Sequence, residues 1–419
     1  MPDLLRLVIA GSVDCGKSTT VGRLLFDSKQ VFDDQLAQIE RASIRRARGH
    51  LDLSLLTDGL RAEREQGITI DVAYRYFSTP RRTFVLADTP GHVQYTRNMV
   101  TGASTASLCV LVIGIDAGLA EQTRRHAAVA SMLGVRSLIV AVNKMDLVEM
   151  AEEPFARLRA EFEAFLADLP FDDVRFIPIS ALNGDNIVRS SDHMPWYDGP
   201  PLLDLLETIP IPAEDRLDQL RLPVQLVIRS SAPGPETRSY PGRIASGRVR
   251  VGDDVVVLPS RLRTRVATIT VGGTPTDEAR YPQSVAVTLE DDVDVSRGHM
   301  IASPGAEPLT LSSFEASLCW MSEAPLRAGA RYAVKHTTNW SRVRVDRVDH
   351  RLDLQHLRRR EESASLELND LGQVSLTAMA PLFGDPYERS RSTGSFVLVD
   401  EASDDTVAAG MILRPVPAG

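Results

Sequence analysis

A glycine-rich segment near the start of the chain has the residues of a phosphate-binding loop. It reads Gly11-Ser12-Val13-Asp14-Cys15-Gly16-Lys17-Ser18-Thr19 and lies between an apolar run and a helix-like segment. Its glycines let backbone N–H groups curl around phosphate oxygens, its lysine can reach the β- and γ-phosphates, and the serine hydroxyl can ligate Mg²⁺. The predicted phosphate-binding residues are Gly11, Val13, Asp14, Cys15, Gly16, Lys17, Ser18 and Thr19.

Three further polar segments each follow a strand-like run. They are Asp88-Thr89-Pro90-Gly91-His92, Asn143-Lys144-Met145-Asp146 and Ser180-Ala181-Leu182. The carboxyl ends of parallel strands meet at one edge of a sheet, so we expect these segments and the phosphate loop to line one crevice. There Asp88 can hold Mg²⁺ through water, and the Gly91 amide can meet the γ-phosphate.

The second and third of these segments have the groups that select guanine. The Asp146 carboxylate can accept from the N1–H and the exocyclic amine of guanine, whereas N1 of adenine is an acceptor that would repel it. Asn143 can brace the loop, the stem of Lys144 can lie along the base, and the Ala181 amide can donate to O6. Two of the chain's four lysines are Lys17 of the phosphate loop and Lys144 of the guanine motif, positions where a guanidinium is a poor substitute. We therefore predict GTP rather than ATP, with its base bound by Asn143, Lys144, Asp146, Ser180, Ala181 and Leu182.

Two residues are candidates for the hydrolysis step. Thr69, in Gly67-Ile68-Thr69-Ile70, lies between the two phosphate motifs and is predicted to ligate Mg²⁺ only when the γ-phosphate is present. His92 follows Gly91, in the segment predicted to be the second of two nucleotide-sensitive switches, and is predicted to orient the attacking water. Val13 and Ile68 can form an apolar gate in front of it. The predicted metal ligands are thus Ser18, Thr69 and Asp88.

The composition is that of a soluble globular protein. The chain has 419 residues, 43% of them hydrophobic and 25% charged, and a net charge of −9. An acidic chain is a poor candidate for binding a nucleic-acid backbone, so we expect no nucleic-acid partner. The internal apolar run Leu108–Ile115 is far shorter than the roughly 20 residues that span a bilayer. With three widely spaced cysteines and no membrane segment, we expect a cytoplasmic protein.

The order of the predicted elements indicates an α/β domain followed by two small β-barrels. Up to about residue 209, short apolar runs alternate with helix-like segments, which is typical of a parallel sheet covered on both faces. Beyond Pro210-Ile211-Pro212 come Val-rich runs between Gly, Pro and Asp turns, the first of them Val224–Ile228. The predicted domains are a P-loop GTP-binding domain at 1–212, one β-barrel at 213–307 and a second at 308–419.

These motifs and barrels resemble the translational GTPase family, with its elongation-factor-like three-domain architecture. Within that family the chain is similar, nearly residue for residue, to the large GTP-binding subunit of bacterial sulfate adenylyltransferase. The segments that carry this similarity are Asp58–Phe77, Gln94–Met99, Thr101–Ser104, Asp192–Tyr197, Gly199-Pro200, Ser246–Val249, Val251-Gly252 and Ser296–Gly298. Elongation factors usually lack the Tyr-Arg-Tyr-Phe run, so Asp71–Phe77 is the discriminating segment.

The resemblance implies that GTP hydrolysis drives a second subunit, which makes adenylyl sulfate and pyrophosphate from ATP and sulfate. We expect a heterodimer or higher heteromer with this small, adenylyl-transferring subunit. Some relatives carry a fused adenylyl sulfate kinase, which needs its own phosphate loop. After Lys144 the only lysine is Lys335, and it lacks the neighbouring glycines of a phosphate loop. We therefore expect this chain to lack that kinase. A separate adenylyl sulfate kinase is then a further candidate partner.

Two departures from the family pattern concern the site itself. Cys15 replaces the acidic residue expected beside Asp14, and a helix N-terminus can lower a thiol pKa, which gives a hypothesis of redox sensitivity. Val93 stands after His92, where the family often has glutamate, and this affects the details of the second switch.

Two alternative functions remain open at this point. A translation elongation factor that delivers aminoacyl-tRNA would share the chemistry of the first domain, but it should present a basic face with salt-sensitive RNA binding. A GTP-binding scaffold would bind the nucleotide without turnover. The net charge and the Asp71–Phe77 run favour sulfate activation over the elongation factor.

Overall fold

The chain folds as two units, and the computed structural model describes residues 3–30, 53–56, 72–92, 96–211, 217–229, 238–353, 358–360 and 365–416. The first unit comprises Met1–Pro212 with Asp353–Arg358, and the second comprises Ala213–Leu352 with Arg359–Gly419. Within the described residues, no helix combines the length and apolar character needed to cross a membrane.

The first unit is built on a six-stranded sheet with the order β2-β3-β1-β4-β5-β6. Its strands are β1 (Asp3–Gly11), β2 (Ala73–Ser78), β3 (Arg82–Asp88), β4 (Leu108–Gly114), β5 (Ser137–Asn143) and β6 (Asp173–Pro178). All neighbours pair in parallel except β2, which runs antiparallel to β3 at one edge. Every residue of β4 and β5 is buried, which explains why both read as continuous apolar runs.

Five helices of the first unit are described. They are α1 (Lys17–Asp27), α2 (Thr96–Ala103), α3 (Glu121–Met132), α4 (Glu152–Leu166) and α5 (Leu202–Thr208). Acidic residues occupy the first turns of α3 and α4, where they stabilise the positive end of the helix. Residues of α1 and α5 share one apolar core with alternate residues of β1 and β3, among them Leu5, Leu7, Phe84 and Leu86.

The second unit contains two large β-sheets of antiparallel strands and two separate two-stranded sheets. The strands of the first sheet are β7 (Arg221–Pro223), β8 (Ile228–Arg229), β9 (Arg238–Arg243), β11 (Asp254–Leu258), β12 (Leu262–Val271), β13 (Thr274–Thr276), β15 (Ser284–Leu289) and β16 (Met300–Ala302); β10 (Arg248–Arg250) pairs with β14 (Glu278–Arg280) beside it. A bridge between Val224 and Gly242 brings the end of β7 back to β9, which closes the sheet. The predicted single strand Val224–Ile228 is wrong, because Gln225–Val227 between this bridge and β8 are not in a strand.

The second sheet closes on itself in the same way. Its strands are β17 (Leu309–Trp320), β19 (Arg331–His336), β20 (Asn339–Asp353), β21 (Arg358–Arg360), β23 (Leu371–Gly384), β24 (Ser395–Val399) and β25 (Thr406–Pro415); β18 (Leu326–Arg327) pairs with β22 (Ser365–Leu366), and a short helix α6 (Arg391–Gly394) precedes β24. The order β19-β24-β25-β17-β23-β20 is completed by pairing of β20 with β19. The predicted fold class, an α/β domain followed by β-barrels, is confirmed.

A buried ion pair joins the two barrels of the second unit. Arg221 of β7 donates from Nε and Nη2 to the two carboxylate oxygens of Asp385, both at 2.9 Å. Thr393 adds a hydroxyl hydrogen bond to the same carboxylate at 2.8 Å. Both charged residues are buried, so neither can lose its partner without leaving a charge in a poorly hydrated environment.

Candidate functional site

The phosphate loop connects β1, which ends at Gly11, to α1, which begins at Lys17. Gly16 is the N-cap of α1 in a left-handed conformation (φ +88°), with no side chain capping the helix, so the first backbone N–H groups of α1 remain available to an anion. A Cβ added at Gly16 would lie 2.3 Å from Asn143 Nδ2, and one added at Gly11 would lie 2.3 Å from the Val112 carbonyl oxygen. Both positions therefore require glycine for close backbone approach.

Lys17 connects the phosphate loop to the second phosphate motif. The lysine is buried, and its Nζ donates to the carbonyl oxygens of Gly11 at 3.1 Å and Ser12 at 3.0 Å. A Cβ added at Gly91 would lie 2.5 Å from Nζ. The Lys17 ammonium therefore lies between the backbone of the phosphate loop and Gly91, which belongs to the loop after β3.

The predicted metal ligands lie on different elements of the first unit. Ser18, half-buried like its neighbour Thr19, is in the first turn of α1, and Asp88 is buried at the carboxyl end of β3, where it pairs in register with Ile9 of β1. Hydroxyl and carboxylate oxygens are the ligands that Mg²⁺ prefers, so both side chains have suitable chemistry. Thr69 lies outside the described residues.

His92 is exposed immediately after the buried Gly91. Because Gly91 packs against the Lys17 ammonium, this backbone position holds the histidine at the phosphate end of the crevice. Val13 is 40% exposed in the phosphate loop. Ile68, its predicted partner in the gate, and Val93 lie outside the described residues.

The structure contradicts the hypothesis of a reactive Cys15. The side chain is buried, and this burial raises the pKa of the thiol, outweighing the charges of Lys17 and Lys144, which lower it. The position of Cys15 near a helix N-terminus does not lower its pKa overall, because desolvation of the thiolate is the larger effect. Cys15 is therefore a packing residue in the phosphate loop.

At the base end of the crevice, Asn143 links two loops. Its Nδ2 donates to the Cys15 carbonyl at 2.9 Å, and its Oδ1 accepts from the Ala181 amide at 2.9 Å. Both hydrogen bonds are buried. The amide side chain at the end of β5 therefore fixes the phosphate loop and the Ser180–Leu182 loop relative to each other.

The two charged residues of the same motif have their own partners. Ser180 Oγ donates to Asp146 Oδ1 at 2.6 Å, which fixes the orientation of the carboxylate. Lys144, in a left-handed conformation, forms an ion pair with Asp116 at 2.8 Å. Partial burial raises the pKa of Asp116, but hydrogen bonding to Lys144 and the charge of its ammonium lower it below the ordinary value overall. Asp116, after the carboxyl end of β4, was not predicted as a site residue.

The Ala181 amide differs from the prediction in one respect. It already donates to Asn143 Oδ1, so a guanine O6 would share this N–H rather than find it free. Leu182 is exposed beside it. The carbonyl oxygens of both residues accept hydrogen bonds from Arg23 of α1, at 3.1 Å for Ala181 and 2.5 Å for Leu182. Arg23 is another residue that the sequence motifs did not indicate.

Comparisons with known proteins identify the family of this chain. The family model described as elongation factor Tu GTP binding domain matches residues 2–212, and the model described as GTP-eEF1A C-terminal domain-like matches residues 313–413. The chain is 53% identical over 420 aligned residues to a bifunctional enzyme CysN/CysC of Mycobacterium tuberculosis, covering 100% of this chain and 68% of that protein. It is 49% identical to sulfate adenylyltransferase subunit 1 of Bacteroides fragilis, covering 99% of this chain and 87% of that protein. The same subunit of Laribacter hongkongensis is also 49% identical, with coverages of 99% and 86%.

Proposed function

The chain belongs to the translational GTPase family, among the large GTP-binding subunits of sulfate adenylyltransferase, and we propose that GTP hydrolysed in its first unit drives adenylyl sulfate synthesis by a partner subunit. The partner makes adenylyl sulfate and pyrophosphate from ATP and sulfate. The product contains a mixed anhydride, so its formation is uphill, and coupling to GTP hydrolysis makes it favourable.

One geometric observation carries the nucleotide part of the proposal. Asn143 joins the phosphate loop to the Ser180–Leu182 loop through two buried hydrogen bonds, and Asp146 is oriented beside it by Ser180. A phosphate cradle and a carboxylate suited to guanine are therefore held in one rigid frame. This arrangement supports GTP rather than ATP as the bound nucleotide.

The phosphate end of the frame suggests how the triphosphate is held. Lys17 would exchange the carbonyl oxygens of Gly11 and Ser12 for the β- and γ-phosphate oxygens, which carry full negative charge. Backbone N–H groups of Asp14, Cys15, Gly16 and Thr19 are proposed to donate to the same phosphates. When bound, Mg²⁺ neutralises charge that develops on the phosphates in the transition state, and Ser18, Asp88 and Thr69 are the residues proposed to hold it.

Hydrolysis needs a water placed in line with the γ-phosphate. We assign its orientation to the exposed His92, whose backbone position is fixed by the packing of Gly91 against Lys17. The Gly91 amide is proposed to donate to the γ-phosphate. In this scheme, hydrolysis would change the contacts of the loop after β3, and that change would be transmitted to the partner.

The wider assembly follows from the relatives. We propose that the partner is the small, adenylyl-transferring subunit, in a heterodimer or higher heteromer located in the cytoplasm. Two relatives are described as subunit 1, and another is a bifunctional CysN/CysC enzyme. A separate adenylyl sulfate kinase is a further candidate partner. The domains are proposed at 1–212, 213–307 and 308–419.

The elongation-factor alternative is less well supported. It shares the family model that matches residues 2–212, but the relatives similar over nearly the whole chain are sulfate adenylyltransferase subunits. A tRNA carrier also needs a basic surface, whereas this chain has a net charge of −9.

The proposal is tested by measuring pyrophosphate release from ATP and sulfate with this chain, a candidate small subunit, or both. We expect GTP to raise the rate only when both chains are present. No stimulation by GTP, together with salt-sensitive binding of charged tRNA, would contradict the proposal and favour the elongation factor. A complex that binds GTP without hydrolysing it would favour the scaffold.

A further inference from the structure

A single arginine of α1 forms hydrogen bonds with the Ser180–Leu182 loop, which is predicted to bind guanine. Arg23 Nε donates to the Ala181 carbonyl at 3.1 Å, and Nη2 donates to the Leu182 carbonyl at 2.5 Å. Its third nitrogen, Nη1, lies 3.6 Å from Asp27 Oδ1, one helical turn further along α1. The guanidinium therefore donates to two successive carbonyl oxygens of the loop, and its remaining nitrogen forms an ion pair with the Asp27 carboxylate.

The loop is shaped to accept this contact. Gly184, two residues after Leu182, has a left-handed conformation (φ +94°), and a Cβ there would lie 3.2 Å from Asp27 Oδ2 and 3.6 Å from Arg23 Cδ. The side chain of Arg23 is 17% exposed and that of Asp27 is 26% exposed. Glycine therefore lets the loop backbone approach α1 closely enough to enclose the pair.

We propose that Arg23 is a positioning residue for guanine recognition, which fixes the Ala181–Leu182 backbone through its carbonyl oxygens while Asn143 holds the Ala181 amide. This inference rests on the proposed GTP-binding function and deepens it. Arg23 is not proposed to contact the base or the phosphates. It acts through the loop, on the side opposite to the Asn143 contact with the Ala181 amide.

The placement of Arg23 also connects recognition of the base with that of the phosphates. Lys17 and Ser18 lie at the start of α1, and Arg23 follows Lys17 by six residues, about 9 Å along the helix axis at 1.5 Å per residue. One helix therefore carries the predicted phosphate-binding residues Lys17 and Ser18 as well as Arg23, which binds the Ser180–Leu182 loop. Lysine cannot replace the arginine fully, because a single ammonium cannot present the planar fork that reaches two neighbouring carbonyls.

The experiment compares the full-length Arg23→Lys and Arg23→Ala variants with the wild type. Dissociation of a fluorescent GDP analogue is measured by stopped flow, and the affinity for pyrophosphate is measured by competition. We expect each variant to release GDP about tenfold faster, since charge-assisted hydrogen bonds to the base loop are lost. Pyrophosphate contacts only the phosphate loop, so its affinity should stay within about twofold of wild type.

Arg157→Ala is the matched control, because Arg157 lies on α4 in an exposed pair with Glu153. It should behave as wild type in both assays. The role of Arg23 is refuted if its variants release GDP at the wild-type rate, or if they lose GDP and pyrophosphate affinity equally, as a general loss of α1 would cause. If Arg23→Ala melts below the assay temperature, Arg23→Lys decides the result. A wild-type chain that does not bind GDP would overturn the proposed function as well, and this outcome is distinct from a failure confined to the variants.

Discussion

Exchanging Asp146 for asparagine should change the base that this protein uses. In the structure Ser180 Oγ donates to Asp146 Oδ1 at 2.6 Å, and an asparagine can accept the same bond through its amide oxygen. Its NH₂ group then takes the place of the second carboxylate oxygen. The exocyclic amine at C2 of guanine is a hydrogen-bond donor, so it would face the asparagine NH₂, which is also a donor. Xanthine has a carbonyl at C2, which can accept a hydrogen bond from that NH₂.

The size of the effect follows from the bonds that are lost. A hydrogen bond to a charged group contributes about 1.5–3 kcal/mol, and the carboxylate is proposed to accept two from guanine. Taking the lower value for each gives about 3 kcal/mol, which corresponds to roughly a 150-fold weaker affinity for GTP. Folding should be unaffected, because the hydrogen bond from Ser180 is retained.

The assay is nucleotide-stimulated pyrophosphate release by the complex with the small subunit. For Asp146→Asn we expect the half-saturating GTP concentration to rise by about two orders of magnitude, and XTP to become the better activator. Asp168→Asn, at an exposed aspartate of the same unit, is the control and should keep the wild-type preference. An unchanged GTP midpoint in Asp146→Asn would refute the assignment of this carboxylate to the base.

The remaining predictions concern hydrolysis, stability and thiol chemistry. His92→Ala should slow single-turnover phosphate release by about 100-fold or more while GTP binding stays unchanged; a normal rate would assign water orientation to another group. Arg221→Met should destabilise the second unit by about 3–5 kcal/mol in urea unfolding, and adding Asp385→Leu should restore most of this loss; a double variant as unstable as the single one would contradict the account of the ion pair. Since burial raises the pKa of the Cys15 thiol, iodoacetamide at pH 8 should label the native chain far more slowly than the unfolded chain, as read by mass spectrometry; rapid native labelling would contradict it.

The architecture could be predicted from sequence patterns, and the same patterns predict where the crevice lies. A continuous apolar run such as β4 can be covered only within a sheet buried on both faces, and local motifs at the ends of such strands must then meet at one edge. The phosphate loop is recognisable because its glycines and lysine are adjacent in the chain. The edge strand β2 was not predicted, since its exposed Tyr74 and Tyr76 alternate with half-buried residues and lack the apolar run of a central strand.

Sequence patterns could not show which side chains of the site already have hydrogen-bond partners or which are buried away from water. Arg23 and Ala181 are 158 positions apart in the chain, so no local pattern could indicate that one holds the other. The same holds for Asp116 and Lys144, and for Arg221 and Asp385 between the barrels. The pKa of Cys15 depends on how completely the surrounding loops exclude water. Burial and long-range contacts are properties of the packed chain, and they determine how firmly each residue of the site is held.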